Sequence, residues 1–207
     1  MGRFASKGGE RHMKQLLSAV RYLSQTTHYG ILYKQEEIGD ISHLITTHSK
    51  VKSETIPGHI LFTDISHGGE KPMAGGCGFI NENLYQFCAY RSPLTPLSSF
   101  EGEMIAAIRE VTTGVSNHDI LIWVGLIKEG EIPLLFCDND AAVKIADSNH
   151  TAKRAKHIAT RIAFLQEQIK ERKVMMMHIL TDGQLADFFT KPLNVAQFHR
   201  IRMLMVS

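Results

Sequence analysis

The chain has 207 residues, 43% of them hydrophobic, and a formal net charge of +2. This length suffices for one good core, or for one core with a small appendage, and the composition is typical of a soluble globular protein. A nearly neutral chain does not declare a nucleic-acid partner through bulk electrostatics, so only a local basic cluster would indicate one. Three cysteines without metal-ligand spacing indicate reduced thiols with a packing role in an intracellular protein. No apolar stretch is long enough to span a bilayer, so we expect neither secretion nor a membrane partner.

The N-terminal part of the chain predicts an amphipathic helix over about residues 10–25, because apolar side chains recur there at helical spacing. These apolar positions are Met13, Leu16, Leu17, Val20 and Leu23. Residues 29–33 are compatible with a short strand. Residues 34–57 are polar and without clear period, which indicates a linker or a loosely structured insertion. We therefore expect residues 1–57 to precede the main domain.

From residue 58 onward the pattern predicts a mixed α/β domain. Three strands over 60–62, 73–80 and 84–90 form an antiparallel meander with a hairpin turn at 81–83. A helix then begins near residue 98 and carries apolar residues to 111, and a second helix covers 120–127. The later predicted elements are a strand over 132–138, helices over 141–146 and 154–172, a strand over 174–180 and a short helix over 184–190. We expect this domain to end near residue 193 and a C-terminal tail to cover 194–207.

Four carboxylates in this domain form a candidate metal site. Asp64 and Asp138 end two apolar strands, Glu103 lies in the first helix of the domain, and Asp187 lies in its last helix. Two divalent cations roughly 4 Å apart, which activate water against a phosphodiester, need such a cluster of hard oxygen ligands. Structural alternatives remain open for these side chains. Asp64 is compatible with a turn, Asp138 or Asn139 with a helix cap, and Asp187 with a solvated helix face.

The two glutamates near residue 100 differ in their expected role. Ser98 and Glu101 form a capping-box pattern, which assigns Glu101 to the start of the helix. Glu103 is left without a structural duty and is therefore the better candidate ligand. Asp182 is expected to cap the last helix.

A row of basic residues along the predicted helix over 154–172 is the candidate nucleic-acid surface. Such a row follows phosphates with a salt-sensitive affinity, but a solvated helix face with glutamate partners explains it equally well. The row consists of Lys153, Arg154, Lys156, Arg161, Lys170, Arg172 and Lys173.

Several of these segments resemble the ribonuclease H domain of copia-type LTR retrotransposon polyproteins. They are residues 60–64, 75–80, 98–107, 136–139, 156–158 and 185–193. The last is the most specific, because Ala-Asp-x-x-Thr-Lys-Pro-Leu is close to a signature of that family. Residues 12–33 resemble the connection that joins reverse transcriptase to ribonuclease H.

The resemblance implies a five-stranded mixed sheet flanked by helices, three strands of it antiparallel. It implies hydrolysis of the RNA strand of RNA–DNA hybrids during reverse transcription, with two Mg²⁺ or Mn²⁺ ions. Asp64, Glu103, Asp138 and Asp187 match the catalytic metal ligands by motif position. The local charge of the basic row gives the expected hybrid-binding residues, which are Lys153, Arg154, Lys156 and Arg161, together with the adjacent His157.

A hybrid substrate is the first expected partner, and a polymerase domain or a second copy of the chain is another. The expected location is intracellular, in the cytoplasm, in virus-like particles or in the nucleus. Two alternative functions stay open: a catalytically silent ribonuclease H fold that serves as a binding or dimerisation module, and a related nuclease that acts on DNA.

Overall fold

The computed structural model describes residues 8–31, 33, 39–66, 72–148 and 158–206. The chain divides into two compact units, residues 1–32 with 206–207 and residues 33–205. In the first unit, helix α1 (Glu10–Gln25) covers the predicted amphipathic segment and buries none of its residues. Its five predicted apolar side chains are 43% to 64% exposed. The strand considered over residues 29–33 is absent from 29–31 and 33, the part of that segment that the structure describes.

The second unit contains all five strands that the described residues form. Its helices are α2 (Asp40–His48), α3 (Ser99–Trp123), α4 (Asp140–Ala146), α5 (Ala159–Lys170), α6 (Asp187–Thr190) and α7 (Val195–Met205). Its strands are β1 (His59–Ile65), β2 (Met73–Ile80), β3 (Asn83–Arg91), β4 (Leu134–Cys137) and β5 (Met175–His178). Among the described residues, no helix combines the length and the apolar character that crossing a membrane requires.

The five strands form one mixed sheet in the order β3-β2-β1-β4-β5. The β1–β2 and β2–β3 pairs are antiparallel, whereas the β1–β4 and β4–β5 pairs are parallel. This arrangement confirms the predicted mixed sheet. Because β1 and β4 are parallel neighbours, their carboxyl ends lie at the same edge of the sheet.

Side chains of β1 alternate between two buried layers, as the pleat of a strand requires. Leu61 joins the main core cluster, to which α3, α4 and α5 contribute buried apolar residues. Phe62 points to the other face and stacks on Phe136 of β4, with ring centroids 5.3 Å apart. Both faces of β1 are therefore covered, and Asp64 follows in the same strand with only 2% of its surface exposed.

One continuous helix, α3, replaces the two helices that were predicted over 98–111 and 120–127. The intervening polar stretch stays helical, and the Thr112 hydroxyl donates to the carbonyl of Ile108 at 2.8 Å within it. Position 114, inside the helix, requires glycine, because a Cβ there would lie 2.4 Å from Leu61 Cδ1. The helix ends before Gly125, whose φ of +76° suits glycine.

Two helices lie where no regular structure was expected. The predicted linker over 34–57 contains α2, which buries Ile41, Leu44 and Ile45, and a 3₁₀ turn at Ser53–Thr55. The predicted tail over 194–207 contains α7, which buries Ile201 and Met205. Both helices belong to the unit of residues 33–205.

The segment before α6 differs from the predicted helix over 184–190. Helix α6 begins only at Asp187, and Gln184 has an extended backbone with ψ of 102°. Asp182 lies in a 3₁₀ turn, Thr181–Gly183, and does not cap α6, whose N-cap is Ala186. The expected cap at Asp182 is therefore wrong, because Gln184 interrupts the helical path between them.

Candidate active site

Four secondary-structure elements bring the predicted carboxylates to one edge of the sheet. Asp64 is the penultimate residue of β1, and Asp138 directly follows β4. Glu103 comes from the second turn of α3, and Asp187 is the first residue of α6. Carboxylate oxygens of Asp64, Asp138 and Asp187 lie within 4.8 Å of one another. The predicted convergence of these side chains is thus present in the structure.

An open cleft of about 430 Å³ is lined by three of the four carboxylates, Asp64, Glu103 and Asp138. Its lining residues are Asp64, Ile65, Ser66, Glu103, Asp138, Asn139 and Lys191. Glu103 and Asp138 also form a second close group with the thiol of Cys137, again with ligand atoms within 4.8 Å. The cysteine, expected only to pack, therefore lies at the candidate site.

Helix capping is carried out by neighbours of the carboxylates. Asn139 Oδ1 accepts from the backbone N–H of Ala142 at 3.1 Å and caps α4, which leaves Asp138 without a capping role. At the start of α3, Ser98 Oγ accepts from the N–H of Glu101 at 3.3 Å. Glu101 itself accepts from the N–H of Leu97 at 2.6 Å, so its structural role is as predicted.

Two of the four carboxylates have a hydroxyl donor on one oxygen. The Thr190 hydroxyl donates to Asp64 Oδ2, and the Thr181 hydroxyl lies 3.4 Å from Asp138 Oδ2. Since a carboxylate has two oxygens, each aspartate keeps a second oxygen that can serve as a metal ligand.

The other two carboxylates also have a donor on one oxygen. The Cys137 thiol lies 3.6 Å from Glu103 Oε2, and the Lys191 ammonium lies 2.7 Å from Asp187 Oδ1. Asp187 is only 2% exposed, so the interpretation of a solvated helical acid is wrong. Lys191 follows Asp187 by four residues, a spacing at which helical side chains meet.

Burial and mutual repulsion raise the pKa values of three of the four carboxylates. Burial, followed by the charges of Asp64 and Asp138, raises the pKa of Glu103 to about 9. Burial raises the pKa of Asp187 to about 6, against the hydrogen bond from Lys191. Burial and then Asp64 raise the pKa of Asp138 as well. A bound cation would offset this mutual repulsion.

The donor set fits hard divalent cations. All four predicted ligands are carboxylates, the ligand type that Mg²⁺ and Mn²⁺ prefer. Their oxygens lie close together at an open cleft. Burial and the neighbouring carboxylates raise the pKa values of Glu103 and Asp138, so a bound cation would stabilise their ionised forms. Asp64, Glu103, Asp138 and Asp187 are therefore the residues that would hold such ions.

The predicted hybrid-binding residues are only partly within the described structure. Lys153, Arg154, Lys156 and His157 lie outside the described residues. Arg161 lies in the first turn of α5 and is exposed. His178 has Nε2 at 3.2 Å from the carbonyl of Asp138, which supports a structural role beside the cluster.

Thr181, Thr190, Lys191 and Cys137 were not predicted as part of the site. The i,i+4 spacing from Asp187 was a usable signal for Lys191. Thr181 and Thr190 contact carboxylates that are 43 and 126 residues away in sequence, so no local pattern indicates these contacts.

Comparisons with known proteins identify relatives of this chain. Two relatives are retrovirus-related Pol polyproteins of Arabidopsis thaliana, from transposons RE1 and RE2. Each is 25% identical, over 206 and 195 residues, which cover 96% and 90% of this chain. The chain spans 12% of the length of either relative, and no family model matches it.

A solved structure gives the fold. LC11-RNase H1, isolated from compost by a metagenomic approach, superimposes with a TM-score of 0.52 at 16% sequence identity. The match covers 65% of this chain and 94% of LC11-RNase H1. The chain is therefore a relative of transposon Pol polyproteins, as its resemblance to copia-type elements predicts, and its fold is that of ribonuclease H.

Proposed function

We propose that this protein is a metal-dependent nuclease that hydrolyses the RNA strand of RNA–DNA hybrids. The observation that carries the proposal is the convergence of four carboxylates: Asp64, Glu103 and Asp138 line one open cleft, and Asp187 lies beside Asp64 and Asp138. They come from four elements that are distant in sequence, and they compose a set of hard oxygen ligands. The kinship with transposon Pol polyproteins supports a role for this activity in reverse transcription.

In the proposed mechanism the four carboxylates would hold two Mg²⁺ or Mn²⁺ ions at the cleft. Bound in this way, such a pair supplies an activated water and stabilises the leaving oxygen of a phosphodiester. Thr181 and Cys137 orient the side chains of Asp138 and Glu103 through the hydrogen bonds described above. Lys191 offsets part of the carboxylate charge. No histidine is needed as a general base in this scheme.

Hybrid binding is assigned to the basic row that begins before α5. The residues that would contact the phosphates are Arg161 and, before it, Lys153, Arg154, Lys156 and His157. Recognition of the hybrid would depend on its groove shape and its 2′-hydroxyls. Residues 1–57 are proposed as a connection-like segment, with the exposed apolar side of α1 available to a polymerase domain or to a second copy. The proposed location is intracellular, where reverse transcription takes place.

Cleavage of a labelled RNA–DNA hybrid in Mg²⁺ or Mn²⁺ tests the proposal. We expect the wild type to cut the RNA strand, and Asp64→Asn and Asp138→Asn each to reduce the rate by several orders of magnitude. Asp182→Asn is the matched control, because Asp182 is an exposed acid between β5 and α6 outside the cluster. Circular dichroism should show that all three variants are folded.

Other outcomes support other functions. Equal cleavage of duplex DNA and of hybrid would favour the related DNA nuclease. A folded wild type that cuts no substrate at any metal concentration would favour the silent binding module. The unburied apolar side of α1 is the observation that favours this second function, and a size measurement would then test for a dimer.

A further inference from the structure

Helix α6 packs unusually closely on the sheet at Gly75. Gly75 is paired with Asp64 in the β1–β2 register. A Cβ at Gly75 would lie 2.7 Å from the Cβ of Phe189 and 3.3 Å from Cγ2 of Thr190. Any larger residue would push α6 outward, because contacts under 3.0 Å are not tolerated. The glycine therefore lets Thr190 approach the strand position opposite Gly75, which is Asp64.

A buried glutamine fixes the chain that enters α6. Gln184 is 1% exposed, and its Nε2 donates to the carbonyl of Thr63 at 3.0 Å. Its Oε1 accepts from the N–H of Ala186 at 3.2 Å. The start of α6 is thus tied to the residue that directly precedes Asp64.

These contacts position the Thr190 hydroxyl so that it donates a hydrogen bond to Asp64 Oδ2. Thr190 is buried, with 6% of its surface exposed. The terminal torsion of an aspartate is broad, so an unrestrained carboxylate samples many orientations. We infer that Thr190 is a positioning residue, which holds one oxygen of Asp64 so that the other is directed at a divalent cation. This inference rests on the proposed function, because it assigns Asp64 to a metal.

A neighbouring threonine provides an internal comparison. Thr63 precedes Asp64 in β1 and is 1% exposed, yet its hydroxyl has no hydrogen-bond partner among the described residues. Two buried threonine hydroxyls therefore lie near the same aspartate, and only the one on Thr190 contacts its carboxylate. Removal of the Thr63 hydroxyl should not affect metal binding.

Calorimetric titration with Mn²⁺ alone tests the inference without a need for catalysis. Thr190→Val keeps the shape and removes the donor, and we expect it to weaken Mn²⁺ binding by about tenfold to a hundredfold. Thr190→Ser keeps the donor and should bind close to the wild type. Thr63→Val is the matched control and should also bind like the wild type. In cleavage assays, Thr190→Val should need more Mn²⁺ for half-maximal rate by the same factor.

The outcomes separate this inference from the proposed function. Unchanged Mn²⁺ affinity in Thr190→Val overturns the role of Thr190 alone. A wild type that binds Mn²⁺ but cuts no hybrid overturns the proposed function, while the affinity comparison still decides the role of Thr190. A folded wild type that takes up no Mn²⁺ overturns both. If Thr190→Val does not fold, Thr190→Ala replaces it, and wild-type affinity in that variant overturns the inference.

Discussion

Glu110 is a buried carboxyl group that lies outside the candidate site. It is 4% exposed, and Oε1 accepts from Nε2 of Gln86 at 2.6 Å. A Cβ at position 76 would lie 2.4 Å from Glu110 Oε2, so the absence of a side chain at Gly76 makes room for the Glu110 carboxyl group. Burial raises the pKa of Glu110 from 4.5 to about 7. The folded protein therefore favours the protonated carboxyl.

This raised pKa predicts a stability change with pH. The contribution of protonated Glu110 to the free energy of unfolding is fully present below pH 4.5, and it is lost as the pH rises to about 7. The loss corresponds to about 3 kcal/mol in the free energy of unfolding. Glu110→Gln keeps the acceptor without a titrating proton, so its stability relative to the wild type should rise by that amount from pH 4.5 to pH 7.5. Urea denaturation at both pH values measures this difference.

Glu129→Gln is the control for this prediction, because Glu129 is exposed. Other groups that titrate, such as His59, contribute equally to the wild type and to both variants. If the stability difference between Glu110→Gln and the wild type is the same at both pH values, Glu110 does not titrate in the proposed way.

The sequence predicts the candidate ligand residues better than their supporting contacts. Asp64 and Asp138 could be found because apolar strands that end on a carboxylate are a local signal. Glu103 could be separated from Glu101 because the capping box is local as well. The contact between Thr190 and Asp64 depends on the close packing of α6 at Gly75, and no pattern near either residue shows it. Burial of Asp187 was missed for the same reason.

At the scale of elements, α3 is aligned on the sheet by a buried pair of histidines. His118 Nε2 lies 3.0 Å from the carbonyl of Glu131, so that nitrogen carries the proton. Its Nδ1 must then accept from His59 Nδ1, which lies 3.0 Å away. His59 Nε2 in turn accepts from the Tyr85 hydroxyl at 2.8 Å. Burial, followed by His118, lowers the pKa of His59 to about 3, which matches this neutral arrangement.

Helix α2 depends on a residue of the β2–β3 hairpin for its N-terminus. Its N-cap, Gly39, has no side chain to accept from the first N–H groups. Glu82 supplies the acceptor, with Oε2 at 2.8 Å from the N–H of Ile41 and Oε1 at 3.1 Å from the N–H of Ser42. Its negative charge also suits the positive end of the helix dipole.

We therefore expect Glu82→Ala to destabilise the protein by about 2 kcal/mol, and Glu82→Gln by about half as much. The loss should be concentrated in α2, so hydrogen exchange of the amides of residues 41–48 should accelerate more than that of β1. Glu54→Ala removes an exposed glutamate from the adjacent 3₁₀ turn and serves as the control. Equal exchange rates in all three variants would contradict the capping role.

Prediction of elements succeeded where the local pattern was clear, as in α1, whose predicted bounds of 10–25 match the structure. Strand β2 has the predicted bounds, and Gly75 and Gly76 fit there because side chains of α6 and α3 approach them closely. Helix α2 has only one buried stripe, Ile41, Leu44 and Ile45, among threonine and histidine residues that do not favour helices. Its stability comes from tertiary contacts, such as the bond from the N–H of Leu180 to the carbonyl of His48 at 2.8 Å.

At the scale of the whole molecule, the boundary between units determines which N-terminal residues can be deleted without loss of stability. Helix α1 buries no residue, whereas α2 buries three large aliphatic side chains. Helix α2 belongs to the compact unit of residues 33–205, whereas the sequence predicts a boundary at 57/58. The two boundaries make different predictions for the stability of shortened chains.

A chain that begins at residue 33 should unfold at nearly the same urea midpoint as the full chain, because α1 contributes no buried side chain. A chain that begins at residue 58 loses the burial of Ile41, Leu44 and Ile45, which costs on the order of 5 kcal/mol. Since natural domains have free energies of unfolding of about 5 to 15 kcal/mol, this second chain should be largely unfolded at 37 °C. Circular dichroism during urea titration compares all three chains. A chain from residue 58 that is as stable as the chain from residue 33 would instead support the boundary at 57/58, and would show that α2 adds little to the sheet domain.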